Sequence, residues 1–140
     1  MLTILLIEPH TALRQSLRLW LEADSMSCTI LEAPDLAHAV ALAAAQPPRV
    51  IVLDLDALPP AELGDIQRLG RLYPTAAIVG IGLDDTPAHC QRARQSGITT
   101  FVPKSQLPTD LTPILRLRLQ GLEEEGNKGR RGEGNKEIRT

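Results

Sequence analysis

Val50-Ile51-Val52-Leu53-Asp54-Leu55-Asp56 is a strand that runs into two acids. Four successive branched apolar residues, with no polar alternation, describe a strand buried on both faces. Such a strand belongs to a parallel sheet with helices on either side. Its abrupt stop puts a carboxylate at the strand's carboxyl end.

The flanking sequence repeats the pattern. Residues 2–7 are a second continuous apolar run, ending at Glu8-Pro9-His10. Thr11 to Glu22 carries Leu13, Leu17, Trp20 and Leu21 on one helical face, and Asp24-Ser25 breaks it. Cys28 to Leu31 is a short β-prone run. Pro34-Asp35 opens a helix with Leu36, Val40, Ala43 and Ala44 on one face, and Pro47-Pro48 closes it. Downstream, Pro59-Pro60 starts a helix with Leu63, Ile66 and Leu69 at helical spacing, which Tyr73-Pro74 ends. Ala76 to Leu83 is a strand interrupted by Gly80 and Gly82. Thr86-Pro87 caps and opens the next helix, and Gly97 stops it. Thr99 to Val102 is a short strand, followed by Pro103-Lys104 and a helix from about Thr109 to Gln120. Pro113 then falls at that helix's fourth position, where an N–H would lack a helical partner anyway.

The order is βα five times with short connections, which specifies a parallel sheet with helices on both faces. Chemistry in such sheets gathers outside the carboxyl ends of the strands. That selects Glu8, Asp54, Gly82 and Lys104.

Composition bounds the function classes. The chain has 140 residues, 43% hydrophobic and 2% aromatic, so one aliphatic core is expected and base-stacking nucleic-acid platforms are not. A net charge of −2 implies no polyanion partner. Cys28 and Cys90 form no metal or disulfide motif and read as small buried hydrophobes of a reducing compartment. No apolar run is long enough for a membrane helix, and the start lacks a basic leader, so a cytoplasmic protein with no membrane partner is expected. After Leu122 no branched apolar residue appears until Ile138, and Glu125-Gly126-Asn127-Lys128 recurs as Glu133-Gly134-Asn135-Lys136. The expected division is a domain over 1–121 and a disordered, solvated tail over 122–140.

Three stretches together resemble one family. Ile4-Leu5-Leu6-Ile7-Glu8-Pro9-His10, Pro48-Arg49-Val50-Ile51-Val52-Leu53-Asp54-Leu55 and Phe101-Val102-Pro103-Lys104-Ser105 are similar to the first, third and fifth strands of response-regulator receiver domains, as is the helix end Ser96-Gly97. The likeness covers roughly residues 2–121. It implies a flavodoxin-like fold, a five-stranded parallel sheet in the order 2-1-3-4-5. It also implies phosphorelay signalling rather than enzymatic turnover, with a histidine kinase, phosphotransfer protein or downstream effector as partner and a homodimer left open. Asp54 becomes the phospho-acceptor. Lys104 pairs with it or with the phosphoryl group, Phe101 is the switch aromatic, and Glu8, Asp54 and the backbone carbonyl of Asp56 are the metal ligands. Registering the chain on Pro60 would make Asp56 the acceptor; Asp54 is preferred because the strand before it fits better.

Two departures from the family pattern weigh against a working switch. Pro9 replaces the second acid of the first strand, so Mg2+ binding should be weak. Gly82 stands where the family has Ser or Thr, so no hydroxyl is there to grip a phosphoryl group. The resulting expectation is a stand-alone pseudo-receiver acting by protein–protein contact, with Phe101 buried in the unmodified protein. A functional phospho-receiver using Asp54 is the alternative.

Plainer readings stand beside these. Asp54 could be a turn former or helix cap, and Lys104 a solvated surface lysine. His10 is given no catalytic role, and His38 and His89 are expected to be exposed. Asp84-Asp85 favour a helix start. A remote enzyme reading is a haloacid-dehalogenase-like phosphatase, with Asp54 as nucleophile, Asp56 as acid and base, and Asp84-Asp85 on the metal. That motif normally lies on the first strand of a longer chain.

Overall fold

The computed structural model of the chain describes residues 2–23, 28–57 and 63–128. The break at Asp24-Ser25, the helix start at Pro59-Pro60 and tail residues 129–140 lie outside the described residues.

Five strands and five helices alternate: β1 Leu2–Ile7, α1 Thr11–Ala23, β2 Cys28–Ala33, α2 Leu36–Ala45, β3 Val50–Asp54, α3 Leu63–Leu72, β4 Ala77–Gly82, α4 Pro87–Ser96, β5 Thr100–Pro103 and α5 Leu107–Lys128. Short 3-10 turns at Leu55–Ala57 and Lys104–Gln106 follow β3 and β5. All strand pairs are parallel, in the order β2-β1-β3-β4-β5. This is the expected fold and strand order.

Strand side chains alternate across the sheet and sort the core into two layers. Ile4, Leu6, Val50, Val52, Val79 and Ile81 pack with Leu17 and Leu21 of α1 and Leu111 and Leu115 of α5. Leu5, Ile7, Ile51, Leu53 and Ile78 face the other way, onto Leu36 and Ala39 of α2, Ile66 and Leu69 of α3 and Ala93 of α4. Every residue of β3 and β4 is buried, as the unbroken apolar runs require.

The caps of α4 follow the sequence. Thr86 accepts the His89 N–H, Pro87 opens the helix, and Gly97 ends it at φ 115°. That left-handed conformation carries a steric cost for any residue with a Cβ. Gly80 lies under the side chains of Leu55 and Ile98; a Cβ there would come within 2.9 Å of Leu55 Cδ1.

α5 differs from expectation at both ends. It starts at Leu107 and runs to Lys128, beyond Gln120 and past the expected boundary at 121. Leu122-Glu123-Glu124-Glu125 are good helix formers, and Gly121 and Gly126 each cost only about 1 kcal/mol relative to Ala. With the earlier start, Pro113 sits inside the helix rather than in its first turn. Its missing N–H leaves the Thr109 carbonyl without its helical donor.

Candidate functional site at the carboxyl edge of the sheet

Strand register assembles the site. Ile7 of β1 lies beside Leu53 of β3, so the next residues, Glu8 and Asp54, leave the sheet side by side. Asp54 pairs with Ile81 of β4, just before Gly82. Gly82 pairs with Pro103 of β5, just before Lys104. Glu8, Asp54, Gly82 and Lys104 are therefore brought together along one edge, as the sequence led us to expect.

Asp54 is almost fully buried at 2% exposure. Its Oδ1 accepts the Asp56 N–H at 2.9 Å, which fixes the carboxylate against its own backbone turn. Its Oδ2 lies 2.9 Å from Lys104 Nζ in an ion pair. The turn-former reading thus describes one oxygen only, and the solvated-lysine reading fails, since the Lys104 side chain is 19% exposed. Lys104 Nζ is also 2.9 Å from Asp56 Oδ2. Burial disfavours the charge on Lys104, but the bonds to Asp54 and Asp56 outweigh it and hold the ammonium's pKa above the ordinary lysine value.

Asp56 does more than the sequence reading gave it. Its carboxylate, not only its backbone, enters the site. Besides Lys104 it accepts the Leu83 N–H, at 3.2 Å to Oδ1 and 3.0 Å to Oδ2. One carboxylate thus ties the end of β3 to the ends of β4 and β5. Spacing could not reveal this, because it depends on a side-chain rotamer and on the N–H of Leu83 pointing into the site.

Gly82 and Phe101 share one space. A Cβ at Gly82 would come 3.2 Å from Phe101 Cε1 and 3.1 Å from Asp56 Oδ1. The phenyl ring lies over the glycine, where a side chain would otherwise stand. Phe101 is half-buried rather than buried as expected. Its ring meets His89 edge-on, with centroids 6.0 Å apart. His89 in turn is half-buried, not exposed, with Nε2 buried and lacking a hydrogen-bond partner. His38 is exposed as expected, with its backbone N–H on the Asp35 cap. Neither Cys28 nor Cys90 is in a disulfide, and both are half-buried, short of the burial expected.

Glu8 is fully buried. Its Oε2 accepts the His10 N–H at 3.1 Å, and its Oε1 is buried with no hydrogen-bond partner. The Glu8 pKa rises to about 7. Desolvation is the main cause, and interaction with the Asp54 carboxylate adds to it. The His10 N–H and Lys104 pull the other way. Arg14 donates to the Glu8 carbonyl at 2.7 Å and holds the loop onto α1.

Donor atoms of Glu8, Asp54 and His10 lie within 4.8 Å of one another. Glu8 and Asp54 are the carboxylates that Mg2+ takes in the resemblance. The third donor is an imidazole, with Pro9 in place of a third acid. Mg2+ demands oxygen ligands in near-octahedral geometry, and this set as a whole fits it poorly. Asp84 accepts both the N–H and the hydroxyl of Thr86, the helix-start role. The phosphatase reading, which needed Asp84 on a metal, has no observation in its favour.

No protein-family model matches the chain, and no curated protein matches it. Solved structures do. A CheY-like receiver domain protein from Methanospirillum hungatei superposes with a TM-score of 0.77 at 17% identity, covering 89% of this chain and 98% of that one. A LuxR family DNA-binding response regulator from Silicibacter pomeroyi gives 0.73 at 24% identity, over 86% and 93%. A putative pilus assembly protein from Burkholderia thailandensis gives 0.73 at 19% identity, over 86% and 99%. The fold is that of the response-regulator receiver domain. Among the described residues, no helix is long and apolar enough to cross a membrane.

Proposed function

We propose that the chain is a pseudo-receiver: a non-enzymatic signalling module of phosphorelay type that acts through a protein partner, without a phosphoryl-driven switch. One observation carries this reading. The Asp56 carboxylate already occupies Lys104 Nζ and the Leu83 N–H. A phosphoryl group on Asp54 would need positive partners at this edge, and Lys104 is the cation there. Its negative oxygens would have to displace a carboxylate that holds the same donors, against like-charge repulsion. The Phe101 ring over Gly82 supports the reading further. Without a strand-end hydroxyl, phosphorylation lacks a charge-assisted hydrogen bond worth about 1.5–3 kcal/mol, comparable with a whole allosteric coupling.

The runner-up is a functional phospho-receiver. The Asp54–Lys104 pair and the burial of Glu8 beside it favour that alternative. Amide NMR during addition of Mg2+ with beryllofluoride or acetyl phosphate separates the two. The pseudo-receiver should show small shifts near Gly82 and Phe101, while Asp56→Ala, which frees Lys104 and Leu83, should show larger ones. Large saturable shifts in the unmodified protein, abolished by Asp54→Asn, would establish the phospho-switch instead.

A further inference from the structure

We propose that the chain binds a second copy of itself head to tail: the exposed tip Leu83-Asp84-Asp85 of one copy seats on an arginine-rich patch around Leu72 at the opposite, amino edge of the next. The inference does not depend on how Asp54 is used.

The apolar part of the contact comes first. Among the described residues, four large hydrophobics are exposed: Leu19, Leu72, Leu83 and Leu117. Leu83 is 74% exposed and follows β4 at the carboxyl edge. Leu72 is the last residue of α3. Helices return antiparallel to the strands, so Leu72 stands at the amino edge. Both leucines belong to the layer of α3 and α4, at its two ends.

The charges around the two leucines are opposite. Leu83 is followed by Asp84 and Asp85, both exposed. Leu72 is preceded by the exposed Arg71. Arg94 lies in the last turn of α4, and the Gln67 side-chain amide donates to the Gln95 carbonyl at 3.5 Å, which holds that turn beside α3. Arg49 closes the patch on the sheet side. Its N–H donates to the Thr3 carbonyl and its carbonyl accepts the Ala77 N–H, which fixes it at the amino ends of three strands. The connections 46–49, 71–76 and 94–99 contain no acid. The acids at 123–125 follow on α5, which packs on the other face of the sheet.

These arginines differ from the other cations of the fold. Arg14, Arg18 and Lys104 are each paired with carboxylates. No ion pair among the described residues engages Arg49, Arg71 or Arg94. A cation at a helix C-terminus is favourable in itself, which accounts for Arg71 and Arg94 taken singly. It does not account for Arg49, which is on no helix, or for three unpaired guanidinium groups at one edge.

The tip is held in place before it binds. The Leu83 N–H is tied to Asp56, and Asp84 accepts the N–H and hydroxyl of Thr86. A fixed tip loses little freedom on docking. The occupant is a second copy because each chain carries both halves, an apolar anchor with acids and an apolar anchor with unpaired arginines. Movement of one copy along the strand direction brings the two halves together. The two surfaces differ, so the contact is heterologous and leaves a tip and a patch unused at the ends of every assembly. Its small area makes it a transient association.

Sedimentation velocity on the full chain over a concentration series tests this. At low ionic strength the weight-average sedimentation coefficient should rise with concentration. The rise should be largely lost at about 1 M salt, where the Debye length is about 3 Å. Arg71→Asp and Asp85→Arg should each weaken self-association at least about tenfold, because an attraction becomes a like-charge contact. Leu83→Ser should weaken it about tenfold, and Leu117→Ser, outside both surfaces, should leave it unchanged. Every substituted side chain is exposed, and circular dichroism confirms that each variant is folded. The decisive arm mixes Arg71→Asp with Asp85→Arg. Each variant alone has one disabled surface, whereas the mixture retains one intact tip and one intact patch and should form a closed one-to-one pair. A sedimentation coefficient independent of concentration, association indifferent to salt, an equal loss in Leu117→Ser, or a mixture that stays as single chains would each overturn the proposal.

Discussion

Glu8 shows how one buried side chain sets a pH dependence. Its pKa is about 7 in the folded chain against 4.5 in the unconstrained group, so the folded state holds the proton more tightly. Stability from this group is full below about pH 4.5 and is lost as pH rises through about 7. The full shift corresponds to on the order of 3 kcal/mol. In chelator-treated protein, Glu8→Gln should flatten the decline in melting temperature between about pH 5 and pH 8 and be the more stable form at the upper end. Equal slopes in the two proteins would show that Glu8 is not the titrating group. Gly82 is the second residue whose effect is local. Adding a methyl with Gly82→Ala places a Cβ 3.2 Å from the Phe101 ring. Overpacking of this kind costs about 1–3 kcal/mol. The ring should turn outward, seen as a shift of the Phe101 aromatic resonances; unchanged resonances would mean that the space over Gly82 is not shared.

Among the elements, β3 is the most constrained, because both its faces and its two strand neighbours are committed. Val52 is 1% exposed between α1 and α5. Val52→Asp puts an unpaired charge in that dry layer and should unfold the chain. A soluble Val52→Asp protein with cooperative thermal unfolding would contradict the packing. α5 is the opposite case. Its last buried side chain among the described residues is Leu119. Cutting the chain after Leu122 should therefore leave the melting temperature nearly unchanged, even though the helix continues to Lys128. A marked drop would mean that the residues beyond the cut contribute to the fold.

Across the whole molecule, the sheet brings residues from four separate strand ends to one edge, and two electrostatic arrangements result. On the β3–β5 side, Lys104 and the Leu83 N–H are engaged by Asp54 and Asp56. On the β1 side, Glu8 retains a bare oxygen beside Asp54. The two halves of the edge differ in charge: the ammonium after β5 is paired with two carboxylates, and the carboxylates after β1 and β3 lie side by side.

The architecture was legible in sequence because it rests on periodicity and punctuation. Unbroken runs such as Val50–Leu53 can only be strands covered on both faces, and five of them alternating with helices dictate a parallel sheet. Strand ends were legible too, so Glu8, Asp54, Gly82 and Lys104 could be placed together before any coordinates. The order 2-1-3-4-5 came from the family resemblance, since periodicity does not say which strands are neighbours. Three features depended on the tertiary structure. The Asp56 carboxylate turns to Lys104 and Leu83, residues 48 and 27 positions away in the chain. Phe101 sits over Gly82 and against His89, which leaves both aromatic side chains half-buried. Glu8 is sealed from water with one oxygen bare. Each is a matter of rotamer and through-space distance between segments remote in sequence, and one-dimensional spacing carries no information about either.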